Sequence, residues 1–371
     1  MITNTHDDPD STFAFIGSYT QRLPHVDGKG RGIYCARFNQ TTGALSDIAL
    51  AAELDNPTFL AIAPNRRTLY AVGEIEEFKG QFGGAVSAYA IDPTTGSLTL
   101  LNQQPTCGTF ACHVNLDAQG HFVIVANYGS GSVAVYPVQD DGRLGLLSDF
   151  VQHTGIGPNL ARQEGPHAHQ IKFSPDQRFV LVNDLGADRV VIYQLDATQG
   201  KLTPNSRVPF ASLHPGAGPR HLDFHPNGKF VYVINELDAT LTAFAYDASS
   251  ATFTALQTVS TLPAGSTAAM SCAHVQVHPS GKFVYGSNRG HDSIAIFGID
   301  QTTGRLHAIG HEPTQGEQPR NFAIASNGRF LLVENQDSGT IVSFEIDPER
   351  GTLSPTGHIT PVPTPVCLIL L

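Results

Sequence analysis

The chain of 371 residues is poor in basic side chains: 22 Lys and Arg stand against 33 Asp and Glu, for a formal net charge of −11. That balance argues against a nucleic-acid binder and against a protein that lies on anionic membrane, because the overall field repels both. An anionic ligand would have to be met by a local cluster of arginines. Cysteine is scarce as well. Cys35, Cys107, Cys112, Cys272 and Cys367 are odd in number and scattered, with no C-x-x-C pair, so they suggest neither a disulfide framework nor a zinc site. No apolar run approaches the length of a membrane span, and no transmembrane helix is expected. The segment Met1 to Ser11 is acidic and polar, without the basic start and apolar stretch of a signal peptide, which makes the cytoplasm the expected compartment. No stretch sustains an apolar period of 3.6, so helix is not expected either. A G-x-S-x-G elbow is absent, which speaks against a serine hydrolase. No clear metal triad stands out, and no metal or other cofactor is expected.

What the chain does have is one sentence repeated. Pro219, Leu222 and Phe224 open an apolar strand, His225–Pro226–Asn227–Gly228 turns it, and Phe230 to Asn235 returns. Ala273 to Asn288 repeats the pattern around His278–Pro279–Ser280–Gly281. Equivalent openings fall at Pro57, Ala111, Ala168, Pro219, Ala273, Pro319 and Pro365, spaced by 46 to 57 residues. The turns hold Pro, Asn, Asp and Gly, which preset φ or tolerate positive φ. Period-two runs such as Val86–Ala88–Ala90 and Ile294–Ile296 supply two further strands per copy. Four short strands at this period predict an all-β, seven-bladed β-propeller with four antiparallel strands per blade. The seventh opening runs off the C-terminus, and Phe13–Tyr19 begins mid-sentence. The ring is therefore expected to close by pairing of Pro365–Leu371 with the N-terminal segment, in a blade completed by residues from Phe13 to about Ile48. Residues 1–12 are expected to be poorly ordered, and 13–371 to form one domain.

Stacking the copies separates scaffold from chemistry. One column, at the end of the second strand, holds Glu74, Asn127, Asp184, Asn235, Asn288 and Asn335. It is nearly uniform and reads as structural, each side chain bonding the following turn. The next column is heterogeneous: Tyr19, Ile75, Tyr128, Leu185, Glu236, Arg289 and Gln336. So is the column that opens the first strand, with Thr58, Cys112, His169, Arg220, Ala273 and Arg320. First and second strands are antiparallel neighbours, so the two variable columns meet at one end of the channel. His169, Arg220, Arg320, Glu236 and Arg289 are expected to converge there, beneath the longer loops 74–84, 153–165, 212–218, 263–271 and 311–318. Bland readings stand beside this one. Arg220 and Glu236 could be a structural ion pair within one blade, and His167 and His169 cannot be told apart by pattern. His113, His221 and His274 read as structural, as do the turn residues His225 and His278.

Gly218–Pro219–Arg220–His221–Leu222–Asp223–Phe224–His225–Pro226–Asn227, with Glu236 sixteen residues after Arg220, resembles the seven-bladed propeller lactonases. That family includes propeller-type 6-phosphogluconolactonases and a carboxymuconate lactonizing enzyme. Phe15–Ile16–Gly17–Ser18–Tyr19, Ala126–Asn127–Tyr128–Gly129, Pro166–His167–Ala168–His169, Ser287–Asn288–Arg289 and Gln318–Pro319–Arg320 carry the likeness along the chain. The resemblance implies an active site of His167 or His169, Glu236, Arg220 and Arg289, and a small anionic lactone as substrate. For hydrolysis of such a lactone Glu236 is expected to be the general base, and His169 the proton donor or partner base. Arg220 would hold the oxyanion, and Arg289 and Arg320 the anionic tail. His167, Tyr128 and Tyr19 complete the expected substrate-binding set. Two alternatives remain open at this stage: a muconate cycloisomerase using the same residues, and a propeller that only binds.

Overall fold

A computed structural model describes residues 10–266 and 271–371. Seven sheets make seven blades, each with its first-listed strand innermost and its last outermost. Blade 1 runs Pro365–Leu370, Ser11–Ser18, Gly32–Asn39 and Leu45–Glu53. Blade 2 uses Leu60–Ile62, Thr68–Gly73, Ala85–Ile91 and Leu98–Pro105, and blade 3 uses Ala111–Leu116, Phe122–Asn127, Ser132–Pro137 and Asp149–Gln152. Blade 4 has Ala168–Phe173, Val180–Asp184 and Arg189–Asp196, with Lys201–Pro204 and Phe210–Ser212 both paired to that third strand. Blade 5 comprises Pro219–Phe224, Phe230–Asn235, Thr240–Asp247 and Thr252–Ser260. Blade 6 comprises Ser271–Val277, Phe283–Arg289, Ser293–Ile299 and Leu306–Pro313. Blade 7 comprises Pro319–Ile324, Phe330–Asn335, Thr340–Ile346 and Leu353–Pro361.

The ring closes as expected: Phe15 pairs with Ile369 and Ile16 with Leu368. Blade 1 is longer than the sequence suggests. Its second strand starts at Ser11 rather than Phe13, and its outer strand reaches Glu53. The expectation for the first twelve residues thus fails at Ser11 and Thr12, which pair with Asn39 and Phe38; its remainder, residues 1–9, lies outside the described residues.

The core is distributed between blades. Phe230, Tyr232 and Ile234 pack toward blade 6, while the alternate residues Val231 and Val233 pack toward blade 4. Successive side chains of a strand point to opposite faces, and here both faces are covered, so the second strands read as unbroken apolar runs. The same interface recurs around the whole ring, between blades 7 and 1 and between 1 and 2 included. Polar side chains tie the layers together. The hydroxyls of Tyr70, Tyr232 and Tyr285 donate to Gly142, Gly304 and Gly351 of the next blade. His225 and His278, read as turn residues, use Nε2 to donate to the carbonyls of Gly281 and Gly328 in the next blade's turn.

The two ends of the channel differ in strand geometry. At the end we call upper, the inner strands bulge: Ala111 pairs with Asn127 but His113 with Ala126, leaving Cys112 as an extra residue. His169, Arg220 and Arg320 are the extra residues of blades 4, 5 and 7, and Val366 that of blade 1. A β-bulge re-aims a side chain. Repeated in five blades, it turns this column inward: Cys112, His169, Arg220, Arg320 and Val366, with Thr58 just before the inner strand of blade 2, together line the channel neck.

Candidate active site

Above the neck lies a basin of about 490 Å³, walled by Leu23, Pro24, His25, Glu74, Phe110, Cys112, Tyr128, Arg162, His169, Glu236, Ser271, Arg289 and Arg320. Its centre is Glu236, buried at 5% exposure. Three guanidinium groups hold it: Arg162 at 2.5 Å, Arg289 at 2.8 Å and Arg220, through Nε, at 3.0 Å. Burial alone would raise the Glu236 carboxyl, but Arg289, Arg220 and Arg162 outweigh it and hold it well below the usual carboxylate range. Arg220 is itself anchored by donating from Nη1 to the Ala273 carbonyl at 2.6 Å, and Arg289 donates to the Cys272 carbonyl at 3.1 Å.

Arg320 is placed differently. Among the described residues it has no carboxylate within ion-pair distance; it lies over the Tyr19 ring at 5.2 Å and borders both neck and basin. His169 also borders both, and its Nδ1 is buried without a partner. Burial, reinforced by the Arg220 charge, pushes its imidazole well below the usual histidine range, so it is neutral at pH 7.

The expected residues therefore divide. His169, Arg220, Glu236, Arg289 and Arg320 do converge at one end of the channel, and Tyr128 stands in the basin wall with its hydroxyl 3.3 Å from Arg162. His167 and His169 are separated by the bulge. His167 turns behind the wall, stacked on Tyr128 at 4.5 Å, with its Nδ1 donating to the Tyr128 carbonyl. It does not line the basin, although it was expected in the substrate-binding set. Tyr19, expected in the same set, is fully buried, and its hydroxyl donates to Glu74 Oε1 at 2.8 Å.

Three residues escaped the sequence reading. Arg162 and His25 lie outside the repeat columns: Arg162 in loop 153–165, whose length alone pointed to a binding role, and His25 in the turn of a small hairpin of Arg22–Leu23 with Val26–Asp27. Glu74 was averaged into the Asn and Asp column. In that column Asp184 accepts from the Ala187 amide of the following turn, as expected, while Asn127, Asn288 and Asn335 donate to carbonyls at the end of the preceding blade, those of Thr106, Thr261 and Thr314. Asn127, Asn235 and Asn288 also donate to the Ser132, Thr240 and Ser293 hydroxyls just past the turn. Glu74, one carbon longer, reaches into the basin instead. His113, His221 and His274 form the layer below the neck. His113 stacks on Phe59 at 3.9 Å, and His221 and His274 share a bond between their Nδ1 atoms at 2.8 Å. Burial pushes all three below the usual histidine range. Among the described residues no group of three or more His, Cys, Asp or Glu is arranged to hold a metal ion.

The profile of the family described as "Lactonase, 7-bladed beta-propeller" matches residues 13–370. The chain belongs to this family. It is 41% identical over 357 residues to a 6-phosphogluconolactonase of Bacillus subtilis, covering 96% of this chain and 97% of that one. A 6-phosphogluconolactonase of Formosa agariphila is 36% identical over 91% of this chain and 94% of its own. Among solved structures, the periplasmic gluconolactonase of Pseudomonas aeruginosa superposes with a TM-score of 0.89 at 31% identity, over 97% of this chain and 99% of that one.

Proposed function

We propose that the protein hydrolyses a lactone carrying an anionic tail, with 6-phosphogluconolactone as the substrate. One observation carries the charge preference. Four arginines (Arg162, Arg220, Arg289, Arg320) and two glutamates (Glu74, Glu236) surround the basin and its neck, leaving two positive charges, 4 − 2, inside a chain of net charge −11. A phosphate monoester supplies the matching charge at neutral pH, and arginine forks hold it in paired bonds. The half-exposed Arg162 and the neighbouring Arg289 fit the tail at the rim, while Arg220 and Arg320 border the neck where the lactone carbonyl would sit. There they would stabilise the oxyanion of the tetrahedral intermediate. His169, neutral and unpartnered on Nδ1, suits proton transfer toward the leaving ring oxygen.

Glu236 takes a different role from the general base expected of it. A carboxylate clamped by three arginines is a weak base, and it serves here as the post that fixes their positions. A cycloisomerase would use the same residues, but the names of the relatives are those of hydrolases and favour hydrolysis. Family membership speaks against a propeller that only binds. Five unpaired cysteines suit a reducing compartment, and we place the protein in the cytoplasm, a placement that cell fractionation checks.

The test is a lactone panel followed by proton release, with the spontaneous rate subtracted. 6-phosphogluconolactone should be turned over with a higher kcat/KM than gluconolactone. Rates at the spontaneous level on every lactone would overturn the proposal.

A further inference from the structure

Blade 2 departs from the repeat at one point. In blades 3, 6 and 7 the column residue is an Asn that staples the blade to its neighbour, in blade 5 Asn235 bonds the Thr240 and Thr242 hydroxyls of its own blade, and in blade 4 Asp184 accepts from the His167 and Ala187 amides. In blade 2 that task belongs to Asn56. Its backbone carbonyl accepts from the Glu74 amide at 3.0 Å and its Nδ2 donates to the Glu74 carbonyl at 3.1 Å. Its Oδ1 also receives the amides of Thr20 and Gln21. The Glu74 side chain is thereby freed from scaffold duty. Oε1 accepts from Tyr19, and Oε2 is buried with no partner.

Two further buried atoms next to it lack partners, Thr58 Oγ1 and His169 Nδ1. All three residues line one cavity of about 10 Å³ in the neck, roughly the space of a single water. A buried polar atom left unpaired costs on the order of 1–3 kcal/mol, so three around one small cavity point to a guest that both donates and accepts. Glu74 and His169 also line the basin, so the cavity opens where the lactone carbonyl is placed. Glu236 has three cationic partners; Glu74 has one neutral donor and a free oxygen.

We infer that the neck binds the water that attacks the lactone and that Glu74 takes its proton, an inference that rests on the lactonase reading above. The water oxygen forms a bond to the carbonyl carbon as one of its protons passes to Glu74 Oε2, and the carbonyl π pair moves onto oxygen beside Arg220 and Arg320. The carbonyl then re-forms, the ring C–O bond breaks, and the ring oxygen takes a proton from solvent relayed by His169. Glu74 releases its proton to solvent as the new carboxylic acid ionises. Lactone and water become one hydroxy acid.

Two measurements test this. A high-resolution crystal structure of the wild-type protein should show a water within hydrogen-bond distance of Glu74 Oε2; a dry neck overturns the inference. On 6-phosphogluconolactone, Glu74→Gln should lower kcat by about 100-fold or more and hold KM within about twofold. If Glu74→Gln does not unfold cooperatively, Glu74→Asp replaces it, with reduced kcat and KM again held. A folded Glu74→Gln with wild-type kcat overturns the inference while lactone hydrolysis stands. Wild-type protein that holds the water but hydrolyses no lactone overturns the functional reading and with it Glu74 as base, leaving only the water site.

Discussion

At the lower end of the channel, side chains of four inner strands bond the backbone of the next. Asn115 donates to the Ile171 carbonyl, Gln170 accepts from the Leu222 amide, Asp223 from Val277 and Gln276 from Ile324. At the upper end, one bulged residue in each of five inner strands turns inward instead, and residues there and beside them hold free atoms: His169 Nδ1, Thr58 Oγ1, Glu74 Oε2. The two ends are built from the same repeat, only a few residues apart along each strand. Where the ladder runs regularly, side chains are consumed in joining blades. Where it slips by one residue, they are released toward a ligand. The difference lies in pairing, and composition follows it: amides gather at one end, where Lys172 and Asp223 form an ion pair, and arginines gather at the other.

The largest effect comes from breaking the ring that both ends share. Deleting Val366–Leu371 removes a buried strand and exposes the edges of blade 1. A cooperative unfolding transition should disappear from the thermal melt; a truncated protein melting at the wild-type midpoint would refute closure by this strand.

A middle-sized effect sharpens the comparison at a point where the scaffold breaks its own rule. Glu334, in the second strand of blade 7, is fully buried with both carboxyl oxygens unpartnered. Burial raises its carboxyl well above the usual 4.5, so it is protonated in the folded chain at pH values where the unfolded chain is ionised. Its contribution to stability is complete below the unfolded value and lost as pH rises toward the folded one, at about 1.4 kcal/mol per pH unit. Glu334→Gln should remove that slope and be more stable than wild type at pH 8. Parallel stability curves from pH 5 to 8 in denaturant titrations would contradict it.

The smallest effect is a single staple. Asn335→Ala removes the bond to the Thr314 carbonyl and should cost about 1 kcal/mol in chemical denaturation, with turnover per folded molecule unchanged. Lost turnover at full stability would move this column from scaffold to site.

The propeller was legible because a repeat displays its own alignment: turn residues, alternating strands and the complementary termini each point to one ring. The site was legible where it broke the columns, at His169, Arg220, Glu236, Arg289 and Arg320. It was hidden where no column exists, as for Arg162 and His25, whose positions depend on how loops fold over the basin. His167 could not be told from His169 because a strand pattern without the bulge gives both the same face. Glu74 was hidden by its neighbours in the column, although the one Glu among Asn and Asp was a visible signal. The role of Glu236 depended on a count of guanidinium partners, and one of the three comes from such a loop.

The central claim is that the positive excess of the upper basin selects a lactone by its anionic tail. Arg162 tests it most directly, since its side chain is 42% exposed and its loss leaves the fold in place. The ratio of kcat/KM for 6-phosphogluconolactone to that for gluconolactone should fall by roughly tenfold or more in Arg162→Ala, the scale of one charged hydrogen bond, with activity on gluconolactone little changed. A ratio equal to that of the wild type would contradict the claim.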